Sequence, residues 1–103
     1  METVYKPKVY FHIEFGPQLM KEVEEIIKKE LGYTDEELEG LEVLTWNDLV
    51  AEYENYVKEL IGEETWERLG PYIDVEAMIK DDIIGGWITE FEVRGGKLYL
   101  RER

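Results

Sequence analysis

Cysteine and serine are both absent from this chain, and histidine occurs once, at His12. Without Cys there is no disulfide framework, no thiolate metal site and no Cys nucleophile. Without Ser, and with Thr3, Thr34, Thr45, Thr65 and Thr89 outside any nucleophile motif, no residue is marked for covalent catalysis. No apolar run approaches the roughly 18 residues of a membrane span. The stretch METVYKPKVYF lacks the apolar core of a secretory leader, so a cytoplasmic location is expected. Bases are scarce as well: 12 Lys and Arg face 25 Asp and Glu, for a formal charge of −13. A protein that binds nucleic acid must neutralise about one phosphate charge per ~1.7 Å of duplex with clustered Lys and Arg, and this one has no such cluster. Anionic membrane surfaces are excluded for the same reason. Amides are nearly missing, with two Asn and one Gln beside 20 Glu, which is the usage of heat-adapted proteins.

What is present suffices for one folded domain over residues 1–103. The chain is 44% hydrophobic with three Trp, seven Tyr and three Phe, too apolar to remain disordered. The negative charge is concentrated in the middle. Residues 1–29 hold five acids and five bases, and residues 68–103 hold seven acids and six bases. Residues 30–67 hold thirteen acids against Lys58 alone, a balance of 1 − 13 = −12. An even solubility coat would spread the charge along the chain.

The patterning predicts an α+β domain. KVYFHIEF at 8–15 alternates, with Val9, Phe11, Ile13 and Phe15 on one face, and reads as a half-buried strand. Gly16-Pro17 opens a helix whose apolar positions Leu19, Met20, Val23, Ile26, Ile27 and Leu31 recur at helical spacing before Gly32 stops it. Thr34 to Glu37 has the form of a capping box, so a short turn of helix is expected before Gly40. Leu41 to Leu44 suits a second strand. Thr45 or Asn47 can cap a helix reaching Ile61, with Trp46, Leu49, Val50, Tyr53, Tyr56, Val57, Leu60 and Ile61 in one apolar stripe. A brief helix at 63–69 and another at 75–84, capped by Asp74, follow. Residues 87–93 and 97–101 flank Gly95-Gly96 as a hairpin, a register that sets Val93 against Leu98, Phe91 against Leu100, Glu90 against Arg101 and Glu92 against Tyr99.

Catalytic candidates are few. His12 sits between Tyr10 and Glu14 on a strand face, where a lone His is more often a surface or core residue than a base. Asp81-Asp82 and Glu63-Glu64 are paired carboxylates, but a chain this acidic produces such pairs by chance, and no EF-hand spacing accompanies them. Neither glycine pair belongs to a phosphate-binding loop. No enzyme, cofactor or metal site is expected. The acidic helix is more informative. At ~100° per residue from Leu49, Asp48, Glu52, Glu59 and Glu63 fall within a band about 60° wide beside the apolar stripe. Their gaps of about 6, 10.5 and 6 Å are comparable with phosphate spacing along a strand. Like charges at this spacing repel, and almost no base relieves them.

The segment Leu69-Gly70-Pro71-Tyr72-Ile73-Asp74-Val75-Glu76-Ala77-Met78-Ile79-Lys80-Asp81 resembles the signature of the ArdA antirestriction proteins, L-x-x-Y-I-D-Y-E-A-Y-G-R-D-L. Leu69, Tyr72, Ile73, Asp74, Glu76, Ala77 and Asp81 match it, and the resemblance covers roughly residues 46–100. Val75 and Met78 replace aromatic positions, Ile79 replaces Gly, Asp82 replaces Leu, and the chain is shorter than a full member. The resemblance implies a protein of plasmids, transposons or phages that imitates bent DNA, works as an elongated homodimer, and occupies the DNA groove of type I restriction-modification enzymes. By that analogy Asp48, Glu52, Glu59, Glu63, Glu64 and Glu67 are phosphate surrogates, and apolar groups from Tyr72 to Ile84 serve core or dimer contacts. The alternative from the charge alone is an acidic interaction or regulatory module for a basic partner that is not a DNA enzyme.

Overall fold

The computed structural model describes residues 5–103, so Glu2 and Thr3 lie outside it. Its elements are β1 (Tyr10–Phe11), α1 (Pro17–Lys29), α2 (Asp35–Leu38), β2 (Leu41–Leu44), α3 (Trp46–Ile61), α4 (Glu63–Leu69), a 3₁₀ turn (Gly70–Tyr72), α5 (Val75–Ile84), β3 (Thr89–Val93) and β4 (Gly96–Glu102). The four strands form one mixed sheet in the order β1-β2-β4-β3, and the protein is an α+β domain. β1 runs parallel to β2, while β2–β4 and β3–β4 are antiparallel.

Strand alternation sorts the core into two layers. Leu41, Val43, Phe91, Leu98 and Leu100 face Val23 and Ile27 of α1 and Leu38 of α2. Leu44 and Tyr99 point the other way, onto Leu49 of α3, Ile79 of α5 and Ile88. Val23, Ile27, Val43, Leu49 and Ile79 have no solvent exposure. Each such side chain, removed from water, contributes about 1.5–3 kcal/mol to the fold.

The helix boundaries follow local chemistry. Thr34 and Thr45 each close a reciprocal capping box, with Glu37 and Asp48 as the third helical residues, so Thr45 rather than Asn47 starts α3. Asp74 accepts the Ala77 amide at 3.0 Å and starts α5. Gly32 and Gly62, with φ of 80° and 84°, follow α1 and α3 in a backbone conformation that side chains resist.

Four expectations need correction. The strand foreseen over 8–15 is reduced to Tyr10–Phe11, because β1 is an edge strand whose partner β2 has only four residues. One further bond, His12 N–H to the Val43 carbonyl at 3.2 Å, extends the pairing, and Ile13 is 42% exposed. The hairpin is tighter by two residues: Val93 pairs with Gly96, Phe91 with Leu98, Glu90 with Tyr99 and Glu92 with Lys97. Arg94-Gly95 is therefore the loop, and it uses one positive φ, the 89° of Gly95. Shifting by two conserves which face each side chain occupies but changes every partner. Trp87 is not in β3, since its amide and that of Ile88 bond to the Asp82 carbonyl and prolong the end of α5. Finally, the apolar stripe of α3 is only partly covered, and Tyr56 and Leu60 remain 58% and 66% exposed.

The molecule is elongated. It measures 53 × 32 × 26 Å with a radius of gyration of 16.0 Å, against about 13 Å for a compact chain of this length. The stretch from α4 through the 3₁₀ turn contains no fully buried residue, so this part stands off the packed body.

Candidate partner-binding surface

The six carboxylates singled out as phosphate surrogates fall into two groups. Asp48 is occupied by the fold: its Oδ2 accepts the Thr45 amide at 3.0 Å and its own amide donates to Thr45 Oγ1 at 3.2 Å. Glu52 Oε2 accepts from Arg101 Nη2 at 2.5 Å, and Glu63 lies 3.4 Å from Lys58 Nζ. Glu59, Glu64 and Glu67 are exposed and have no ion-pair or hydrogen-bond partner among the described residues. Gly62 ends α3 and Glu63 starts α4, so the foreseen row of four does not lie along one helix. Its α3 portion stops at Glu59, and Glu63, Glu64 and Glu67 continue the charge on a separate axis.

The resemblance signature divides similarly. Asp74 is a helix cap, while Ile73 is half-buried. Leu69 is 46% and Tyr72 84% exposed, and Glu76, Ala77 and Asp81 are exposed too. Between Tyr72 and Ile84, Val75 and Ile79 enter the core, whereas Ile84 is 85% exposed.

Beneath the acidic helix lies an ionic network that the sequence did not reveal. Glu42 on β2 stands opposite Arg101 on β4, and Glu42 Oε1 accepts from Arg101 Nε. Glu42 Oε2 lies 3.1 Å from His12 Nε2. Arg101 reaches Glu52 with its other end, so one guanidinium ties two strands to α3. Burial alone would lower the Arg101 pKa, but its hydrogen bonds to Glu52 and Glu42 outweigh this and hold the guanidinium above its ordinary value. His12 thus has a structural partner in Glu42.

Alongside this network is an open cleft of about 470 Å³, lined by Glu52, Tyr53, Tyr56, Met78, Asp82 and Arg101. The Tyr53 hydroxyl donates to Asp82 Oδ2 across the α3–α5 junction. Burial, then this carboxylate, push the Tyr53 phenol up to about 12. Tyr99 is likewise pushed up to about 12, by burial and by its bond to Glu90 at 3.1 Å. Asp35 is held below its usual value chiefly by its hydrogen bond and charge pairing with Lys28.

The sequence signals for these residues were indirect. Arg101 is 59 and 49 residues away from its partners Glu42 and Glu52, and the foreseen register assigned it to Glu90. Tyr53 reads as part of the apolar stripe of α3, and Met78 as one of the Tyr72 to Ile84 groups assigned to core or dimer contacts. Among the described residues, no group of three or more His, Asp or Glu is placed to hold a metal ion, and no helix is long and apolar enough to cross a membrane. Comparison with protein families, with curated proteins and with solved structures finds no match.

Proposed function

We propose that the protein is a DNA mimic that inhibits a DNA-processing enzyme by occupying its Lys- and Arg-lined channel, with a type I restriction-modification complex as the first target to test. The observation that carries this reading is the set of unpaired, exposed carboxylates Glu59, Glu64 and Glu67 at the α3–α4 junction of an elongated domain. Their charges are not consumed by ion pairs, so they are available to a basic surface. Such a surface attracts them over a Debye length of about 8–10 Å, giving fast, salt-sensitive association. The ArdA-like stretch from Leu69 to Asp81 supports the same reading by resemblance.

The test is displacement of a labelled duplex from the enzyme. Added protein is expected to release the duplex, less effectively as salt rises. Changing Glu59, Glu64 and Glu67 together to Lys is expected to weaken displacement more than about tenfold while leaving the fold intact, since each is solvated. Undiminished displacement by that variant would rule out mimicry through these groups. Glu52 is a poor choice for reversal because it would repel Arg101 and disturb the fold.

A second reading is favoured by Leu60, Leu69 and Tyr72, which are 66%, 46% and 84% exposed. Apolar groups of this kind suit a basic protein partner better than a polar DNA channel. A complex that forms equally well with excess duplex present would support that reading.

A further inference from the structure

We propose that the cleft between α3, α5 and β4 is a receptor for the guanidinium of an arginine side chain presented by a partner protein. This deepens the reading of a basic partner and rests on it, but it concerns different residues from the α3–α4 acids.

The lining itself specifies the ligand. Glu52 and Asp82 supply carboxylates, Tyr53 and Tyr56 supply aromatic rings, and Met78 supplies a soft apolar side chain. Each carboxylate has one oxygen already engaged, Glu52 Oε2 by Arg101 and Asp82 Oδ2 by Tyr53. The second oxygen of each has no partner among the described residues, leaving two acceptors for an incoming donor. Charge decides between anion and cation. In the lining, Glu52 and Asp82 set two negative charges against the one positive charge of Arg101, for 1 − 2 = −1, and Glu42, outside the lining, pairs with Arg101 as well. Arg101 is neutralised on both sides and has little attraction left for an anion.

Shape decides between guanidinium and ammonium. A planar guanidinium can lie on a tyrosine face while its forked N–H groups reach carboxylate oxygens, whereas an ammonium is a strongly hydrated point charge that matches neither surface well. The fold already shows this recognition once: Arg101 fits between Glu42 and Glu52. Tyr56, at 58% exposure, is the lining side chain most open to an entering group among the large hydrophobics of the cleft.

The experiment is a titration of the whole protein with N-acetyl-argininamide, followed by NMR at the Met78 methyl and the Tyr53 and Tyr56 rings. Saturable shifts at these groups are expected, with the lysine analogue binding more weakly. Asp82→Asn and Tyr56→Ala are each expected to weaken binding about fivefold or more. Tyr56→Ala removes an exposed ring and keeps the test valid if Asp82→Asn loosens α5. No saturable shift at Met78, or shifts unaffected by both substitutions, would overturn the proposal. The Glu59, Glu64 and Glu67 to Lys variant lies outside the cleft and is expected to bind argininamide normally. Failed duplex displacement with intact argininamide binding would therefore remove the mimicry reading and leave the cleft standing.

Discussion

The two faces of the sheet solve the same burial problem by different means. On the face beneath α1, the sheet residues Leu41, Val43, Phe91, Leu98 and Leu100 meet Val23, Ile27 and Leu38, all apolar, while the buried Glu24 of α1 is satisfied by the Lys8 and Val9 amides at 2.7 and 3.0 Å and not by a strand residue. On the face beneath α3 and α5, Leu44 and Tyr99 pack against Leu49 and Ile79, but Glu42 and Arg101 occupy the next positions along the same strands. Adjacent residues of β4 therefore live in different media: Leu100 is 1% exposed in hydrocarbon, and Arg101 is held by two carboxylates. An apolar face gains stability from area alone. A face with buried charge must recover a desolvation cost through geometry, which makes it sensitive to the loss of any one partner.

Truncation on the apolar face is expected to have the largest effect. Leu100→Ala should lower stability by about 3–4 kcal/mol in urea unfolding, through lost transfer energy and the cavity left against α1. Arg101→Met comes next, at about 2 kcal/mol, because it leaves the Glu42 carboxylate buried without its guanidinium. A smaller effect is expected from Thr45→Ala, which removes one half of the α3 capping box and should cost about 1 kcal/mol.

The alkaline limb of stability sharpens the contrast further. Tyr53 and Tyr99 both belong to the mixed face, and both hold their protons to about pH 12 rather than 10. A raised phenol pKa means that the folded state binds the proton more tightly than the unfolded one. The resulting stability is fully present below pH 10 and is lost as pH rises from 10 towards about 12. Urea unfolding across that window should show the decline, and Tyr53→Phe should flatten it. The least effect is expected from neutralising Glu59, Glu64 and Glu67 to Gln: stability within about 0.5 kcal/mol of the parent, or slightly higher from relieved repulsion.

Much of the architecture could be read from the sequence because its signals are local. Thr34, Thr45 and Asp74 announce their helices through side chains that bond three residues on, and Gly32 and Gly62 mark where helices stop. The ends of β2, α3, α4 and α5 follow from such cues. What depends on distant partners could not be read in the same way. The alternation of residues 8–15 is that of a longer strand, but a strand extends only as far as its neighbour, and β2 stops at Leu44. Gly95-Gly96 suggested the wrong loop because either glycine pair or Arg94-Gly95 satisfies the turn, and the choice rests on how β4 also pairs with β2. The acidic edge was visible as composition. Which of its members remain available was not, because that depends on Arg101 and on the Thr45 cap.

The position of β4 has a consequence for how the chain reaches this structure. β4 follows β3 in sequence, yet it lies between β2 and β3, and among the described residues it is the antiparallel partner of β2. The hairpin of β3 and β4 can form early, as a local event on a microsecond scale. Joining it to β2 requires closing the loop of residues 45–88, which contains three helices, an entropic cost met before most sheet contacts are gained. During synthesis on a ribosome, β1 and β2 must therefore wait, with Leu41 and Val43 uncovered on one edge, until β4 emerges. The acidic stretch that leaves β2 during this interval gives the waiting chain a strong like-charge repulsion from its own copies.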